Sequence, residues 1–196
     1  MAAAIAMLSG CGGADRPGPE ATTKVPSSAK ADVVLGKEQL RVVLPGAADV
    51  PPGWKAASSY LIEGSSGTDG RVAFGRRGYS APDLNGHVVG FGLRSFRSRS
   101  QAEADYGKWK RRTAGTQQEA AQIDGADTAY TSVYCLGRSY CSSSIQMRVG
   151  SVSAYVNINT DGPPAADPKT LNSVARAFVL RIHQAEQGQR PTAKAG

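Results

Sequence analysis

Ile145-Gln146-Met147-Arg148-Val149-Gly150-Ser151-Val152-Ser153-Ala154-Tyr155-Val156-Asn157-Ile158 is the stretch whose reading decides the fold. Gly150-Ser151 is a two-residue turn with glycine first, as a type II′ hairpin turn requires. Pairing Val149 with Val152 sets Met147 opposite Ala154 and Ile145 opposite Val156. All six then fall on one face, with Gln146, Arg148, Ser153 and Tyr155 on the other. A slip of one residue would send every apolar side chain to the wrong face, so the register is well specified.

The chain on either side extends the same pattern. Arg71–Tyr79 and His87–Phe96 read as antiparallel strands joined through Asp83-Leu84-Asn85-Gly86. Val89, Phe91 and Leu93 share one face of the second strand, and Gly90 and Gly92 leave the other nearly bare, which permits a close approach to that face or, as the plainer reading, a bulge. Leu40–Leu44 and Ser58–Glu63 are expected as further strands, with Trp54 a large core anchor after the Pro51-Pro52-Gly53 turn. Asp127–Cys135 is another, with Tyr130 and Tyr134 on one side.

Two helices follow strands. Ser100 with Glu103 forms a capping-box pattern ahead of Ala102, Tyr106, Trp109 and Thr113, ending at Gly115. Aromatic residues at that spacing pack on a sheet more often than they line a ligand box. Asp167 is an N-cap with Pro168 at the first helical position. Leu171, Val174, Ala175, Phe178 and Ile182 then form an apolar stripe, closed by Gly188. Residues 71–114 and 127–187 thus share a strands-then-helix order, an expected pseudo-repeat. The fold class is α+β: an antiparallel sheet with two main helices packed on one face. One globular domain is expected over 39–188, with 189–196 a frayed tail.

Leu8-Ser9-Gly10-Cys11, closing the apolar run from Met1, reads as a lipobox, which makes Cys11 the lipidated residue. Residues 1–10 are then a signal peptide. The run is short and lacks a basic start, which points to translation beginning upstream. Residues 11–38, rich in Gly, Pro, Ser, Thr and Ala with Pro17, Pro19 and Pro26, form a flexible tether. The three cysteines fit this assignment: with Cys11 acylated, Cys135 and Cys141 remain as a disulfide pair in an oxidising compartment. Five residues separate them, so the bridge pins a hairpin end. No run approaches about 18 apolar residues, the length of a membrane span.

The chemistry of a catalyst is not legible. His87 and His183 are far apart, and neither HExxH nor zinc-type His/Cys spacing is present. Serine-nucleophile, phosphate-loop and CxxC patterns are also missing. No metal and no cofactor is expected. The formal net charge of +7 favours anionic neighbours. Its densest part is Arg94, Arg97, Arg99, Lys108, Lys110, Arg111 and Arg112, opposed by Glu103 and Asp105, with Arg71, Arg76 and Arg77 on the neighbouring strand. An anionic membrane surface suits such a patch. A solvated face without a partner is the plainer alternative, and nucleic acid lacks both compartment and motif.

Leu8-Ser9-Gly10-Cys11 and the tether resemble bacterial lipoproteins, and the Ala, Gly and Arg bias resembles actinobacterial ones. Pro51-Pro52-Gly53-Trp54, the run from Val88 to Trp109, and Arg148-Val149-Gly150 resemble the extracellular sensor domains of mycobacterial receptor kinases. Those domains tend to have two disulfides where this chain has one, which confines the likeness to architecture. The resemblance implies a lipid-anchored, non-catalytic domain on the outer face of the cytoplasmic membrane that binds an envelope ligand or protein partner. An envelope hydrolase without a recognisable motif and a structural or assembly lipoprotein are the alternatives.

Overall fold

The computed structural model describes residues 33–63, 69–82, 87–113 and 116–194. Cys11, the Asp83–Gly86 turn and Gly115 lie outside them. Strands β1 (Lys55–Glu63), β2 (Arg71–Ala81), β3 (His87–Phe96), β4 (Gln117–Ala121), β5 (Thr128–Leu136), β6 (Tyr140–Val149) and β7 (Val152–Thr160) form one antiparallel sheet. Its order is β1-β2-β3-β7-β6-β5-β4. The β6–β7 hairpin has the expected register, Val149 with Val152, Met147 with Ala154 and Ile145 with Val156. All six side chains are buried, and Gly150 takes a positive φ of 53°.

Helix α3 (Pro168–Glu186) also follows the sequence closely. Asp167 accepts the Thr170 backbone N–H at 3.0 Å, and Pro168 fills the first turn. Leu171, Val174, Ala175, Phe178 and Ile182 are buried against β6 and β7, joined by Val179. Each large side chain so buried contributes about 2 kcal/mol of transfer free energy. A line of ring contacts runs across this core from Trp54 through Tyr79 and Phe91 to Phe178.

Three local expectations are corrected. Leu40–Leu44 is not a strand but the end of helix α1 (Lys37–Val43). Leu40, Val43 and Leu44 are buried while Arg41 and Val42 face solvent, a three-four spacing that a run of consecutive apolar residues conceals. Pro45 then forces Leu44 into extended backbone and stops the helix. The cap of α2 (Arg99–Arg112) is Ser98, whose hydroxyl accepts from the Gln101 N–H, rather than Ser100 with Glu103. β3 carries no bulge at Gly90 and Gly92. A Cβ there would collide with the side chains of Asn157 and Tyr155, which lean across from β7.

Helices pack against the sheet, but on both of its faces. Ala129, Ile145 and Met147 belong to the core that α1 and α3 cover. At alternate positions Thr128 and Tyr130 meet Tyr106 of α2, through a hydrogen bond and an edge-on ring contact. Alternation therefore puts α2 on the opposite face from α3. Since β3 and β7 are antiparallel neighbours, a two-fold axis relating the two halves would carry both helices to one face. The strands-then-helix order thus repeats along the chain without repeating in space.

The packed region is longer than the apolar periodicity indicates. Leu35 is buried, its N–H bonded to Ser95 Oγ, and the Ser151 hydroxyl donates to the Val33 carbonyl. At the other end Pro191 is buried, and Thr192 and Ala193 are bound by Gln184 and Arg181. Residues 33–38 and 189–194 therefore belong to the folded unit instead of to a tether and a tail.

Candidate functional site

Helix α3 begins only at Pro168, so it leaves one end of its sheet face uncovered. The connection 161–167 crosses that end. It is seated on the β5–β6 turn, where the Cys135–Cys141 disulfide joins two residues directly paired in the ladder. Gly162 (φ 87°) lies so close to the Arg138 carbonyl that a Cβ would overlap it. The Thr160 hydroxyl donates to the Gly162 carbonyl at 2.8 Å, and Pro163–Pro164 is cis.

A cleft opens on each side of this connection, and Ala166 borders both. The first, of about 630 Å³, is lined by His87, Ile158, Thr160, Asp161, Ala165 and Thr170 among others. The second, of about 440 Å³, is lined by Glu119, Thr131, Val133, Ser143, Leu171 and Asn172 among others. Both volumes suit a small organic ligand. Asp167, the cap of α3, lines the first. Hydrogen bonds from the Thr170 N–H and hydroxyl hold its carboxyl below the usual carboxylate range. That group is committed to α3 as a charged acceptor.

The residues singled out in the sequence divide between these clefts and the rest of the surface. His87 lines the first cleft. His183 is elsewhere: Nε2 meets the Gly125 carbonyl at 2.8 Å and Nδ1 meets Glu186 at 3.0 Å, tying α3 to the β4–β5 connection. Of the basic run, Arg94 does not join a surface patch. Its side chain is 13% exposed, paired with Asp105 at 3.2 Å, and its guanidinium lies 4.6 Å from the Trp109 ring centre and 5.3 Å from that of Phe74. Trp109 is accordingly a stacking partner within the fold, and Tyr106 packs on Tyr130. Arg97 and Arg99 are exposed where α2 begins; Lys108, Lys110, Arg111 and Arg112 are exposed together in its last turns, favourably placed for the helix dipole. Arg76 and Arg77 point to opposite faces, as neighbours in a strand must. Arg77 donates to the Pro45 carbonyl on the α1 side and takes no part in the α2 surface.

No protein-family model matches the sequence, and no curated protein matches it. Among solved structures the chain is similar to the extracellular domain of PknH from Mycobacterium tuberculosis. The likeness covers 81% of this chain and 100% of that one, with a TM-score of 0.52 and 14% identity. The fold is shared. At that identity the likeness extends to the fold and not to individual site residues.

Two features of the site escape sequence reasoning. The 161–167 segment carries no apolar period and no motif that marks a site, yet it borders the clefts. Ser143 continues the Ile145, Met147, Val149 alternation and so occupies a core-facing position with a polar side chain. That break in pattern was the available signal.

Proposed function

We propose that this protein is a lipid-anchored, extracytoplasmic, non-catalytic binding domain. The observation that carries the reading is the pair of clefts held open by a connection seated on a disulfide-pinned turn. A short bridge that fixes one loop serves a site more than a fold, since a ring of this size contributes only about 2 kcal/mol by chain entropy. The likeness to an extracellular domain of a receptor kinase supports the same compartment, as does the disulfide itself. Lipid on Cys11 and the tether behind it would hold the domain at the outer face of the membrane. There the exposed Lys108, Lys110, Arg111 and Arg112 suit anionic headgroups, at about 1 kcal/mol each.

Two results test this. In bacterial cells, Cys11→Ala is expected to move the protein from the membrane to the soluble fraction and to abolish labelling by a fatty-acid precursor. Unchanged labelling would refute the anchor. Fractionated envelope lipids and wall fragments are expected to include one that raises the melting temperature. Ala165→Trp, which plugs the first cleft without removing a hydrogen bond, should cancel that rise. A rise unaffected by the plug would place the ligand elsewhere, and no rise with any fraction would refute binding.

A further inference from the structure

We propose that the second cleft is an independent binding site for a small neutral amphiphile, held by the Ser143 hydroxyl and the apolar walls around it. Ser143 is 2% exposed and its Oγ has no hydrogen-bond partner among the described residues. It is paired in the sheet between Val133 and Ile158, on the face that α3 covers only beyond this point. A hydroxyl buried this way loses its bonds to water and regains none, so it weakens the free domain. The serines around it show the contrast: Ser132 and Ser144, on the opposite face, satisfy each other at 2.7 Å. Of these three serines, the one with the unmade bond is the one that lines the cleft.

The lining defines the ligand. Ala121, Val133, Ala166, Pro168 and Leu171 supply apolar wall, and Gln122 and Asn172 supply polar rim. Thr131 is already used, its hydroxyl donating to the Glu119 carbonyl. Among the described lining residues there is no lysine, arginine or histidine. Glu119 borders one side, and at Pro168 on the other the positive end of α3 is already answered by its cap, Asp167, which lines the first cleft. An anion would meet the acidic Glu119 and, among the described lining residues, no cation, with the helix N-terminus already capped. A mostly apolar body with one hydrogen-bonding group meets the walls and completes Ser143.

N-Phenylnaphthylamine, a neutral probe with a single N–H on an aromatic skeleton, tests this against its sulfonated analogue anilinonaphthalenesulfonate. The folded protein is expected to enhance the fluorescence of the neutral probe saturably and to bind the anion at least about tenfold more weakly. Ser143→Ala should leave the melting temperature unchanged or raised and weaken the neutral probe about tenfold, the value of one hydrogen bond. Asn172→Trp, filling the cleft from the surface of α3, should abolish the signal, and Ala165→Trp in the first cleft should preserve it. The proposal is overturned by an absence of saturable binding, by equal affinity for the two probes, or by a Ser143→Ala variant that binds as the wild type. It is equally overturned if Ala165→Trp removes the signal, or if Ser143→Ala melts several degrees lower. Because the proposal concerns the other cleft, its failure leaves the Ala165→Trp result above unaffected.

Discussion

Replacing Arg181 by alanine is expected to lower the unfolding free energy by about 3 kcal/mol, the range for removing one partner of a buried charged network. Arg181 lies within the apolar stripe of α3, between Phe178 and Ile182, and is 2% exposed. Its Nε donates to the Val43 carbonyl at 2.7 Å, and Nη2 donates to Val42 at 2.7 Å and to Asp49 at 3.0 Å. Nη1 donates to Ala193 at 2.8 Å. The planar fork thus closes the carbonyl end of α1, holds the short 3₁₀ turn Ala47–Asp49 and pins the C-terminal segment. Alanine would leave the Val43 carbonyl buried without a partner and Asp49 without its cation. Lysine keeps the charge, but a single ammonium reaches one or two of these four spread acceptors, so Arg181→Lys should recover less than half of the loss. Urea unfolding checks this: the midpoint should fall with the slope unchanged. A loss below about 1 kcal/mol in Arg181→Ala would show that α1 and the C-terminal segment hold without the fork.

Arg181 also shows where sequence reasoning stops. The β6–β7 register and α3 were legible because turn chemistry, caps and periodicity act within a few residues of one another. The disulfide was legible because its cysteines lie close together and Cys11 had another assignment. Arg181 reaches partners more than 130 residues away in sequence, and no local pattern encodes that. Leu40-Arg41-Val42-Val43-Leu44 misled for a different reason: β-branched and apolar neighbours satisfy strand and helix templates alike, and only burial in the folded chain separates them. β4, Gln117-Gln118-Glu119-Ala120-Ala121, has poor strand propensity and is formed by pairing with β5 at the sheet edge. The clefts were illegible because they depend on where α3 starts over the sheet and on which turn the preceding connection rests.

That seating makes Gly162→Ala the second large expected effect, and a diagnostic one. Alanine at a φ of 87° stores about 1–3 kcal/mol of backbone strain. Its Cβ would also overlap the Arg138 carbonyl, a backbone atom that cannot swing aside as a side chain can. Gly137→Ala separates the two costs. Gly137 also has positive φ, at 56°, but a Cβ there meets nothing within 4 Å. Gly137→Ala should therefore show strain alone, and Gly162→Ala should exceed it by at least about 1 kcal/mol, with weaker binding in both clefts as the 161–167 connection lifts. The disulfide decides how the overlap is relieved. With Cys135 and Cys141 joined, the turn bearing Arg138 is held and the 161–167 connection must give way. In a Cys135→Ser, Cys141→Ser background the turn itself can yield. The Gly162→Ala penalty should then shrink, a non-additivity that a double-mutant cycle measures directly. An equal penalty in both backgrounds would mean that the bridge does not stiffen the surface on which the connection rests.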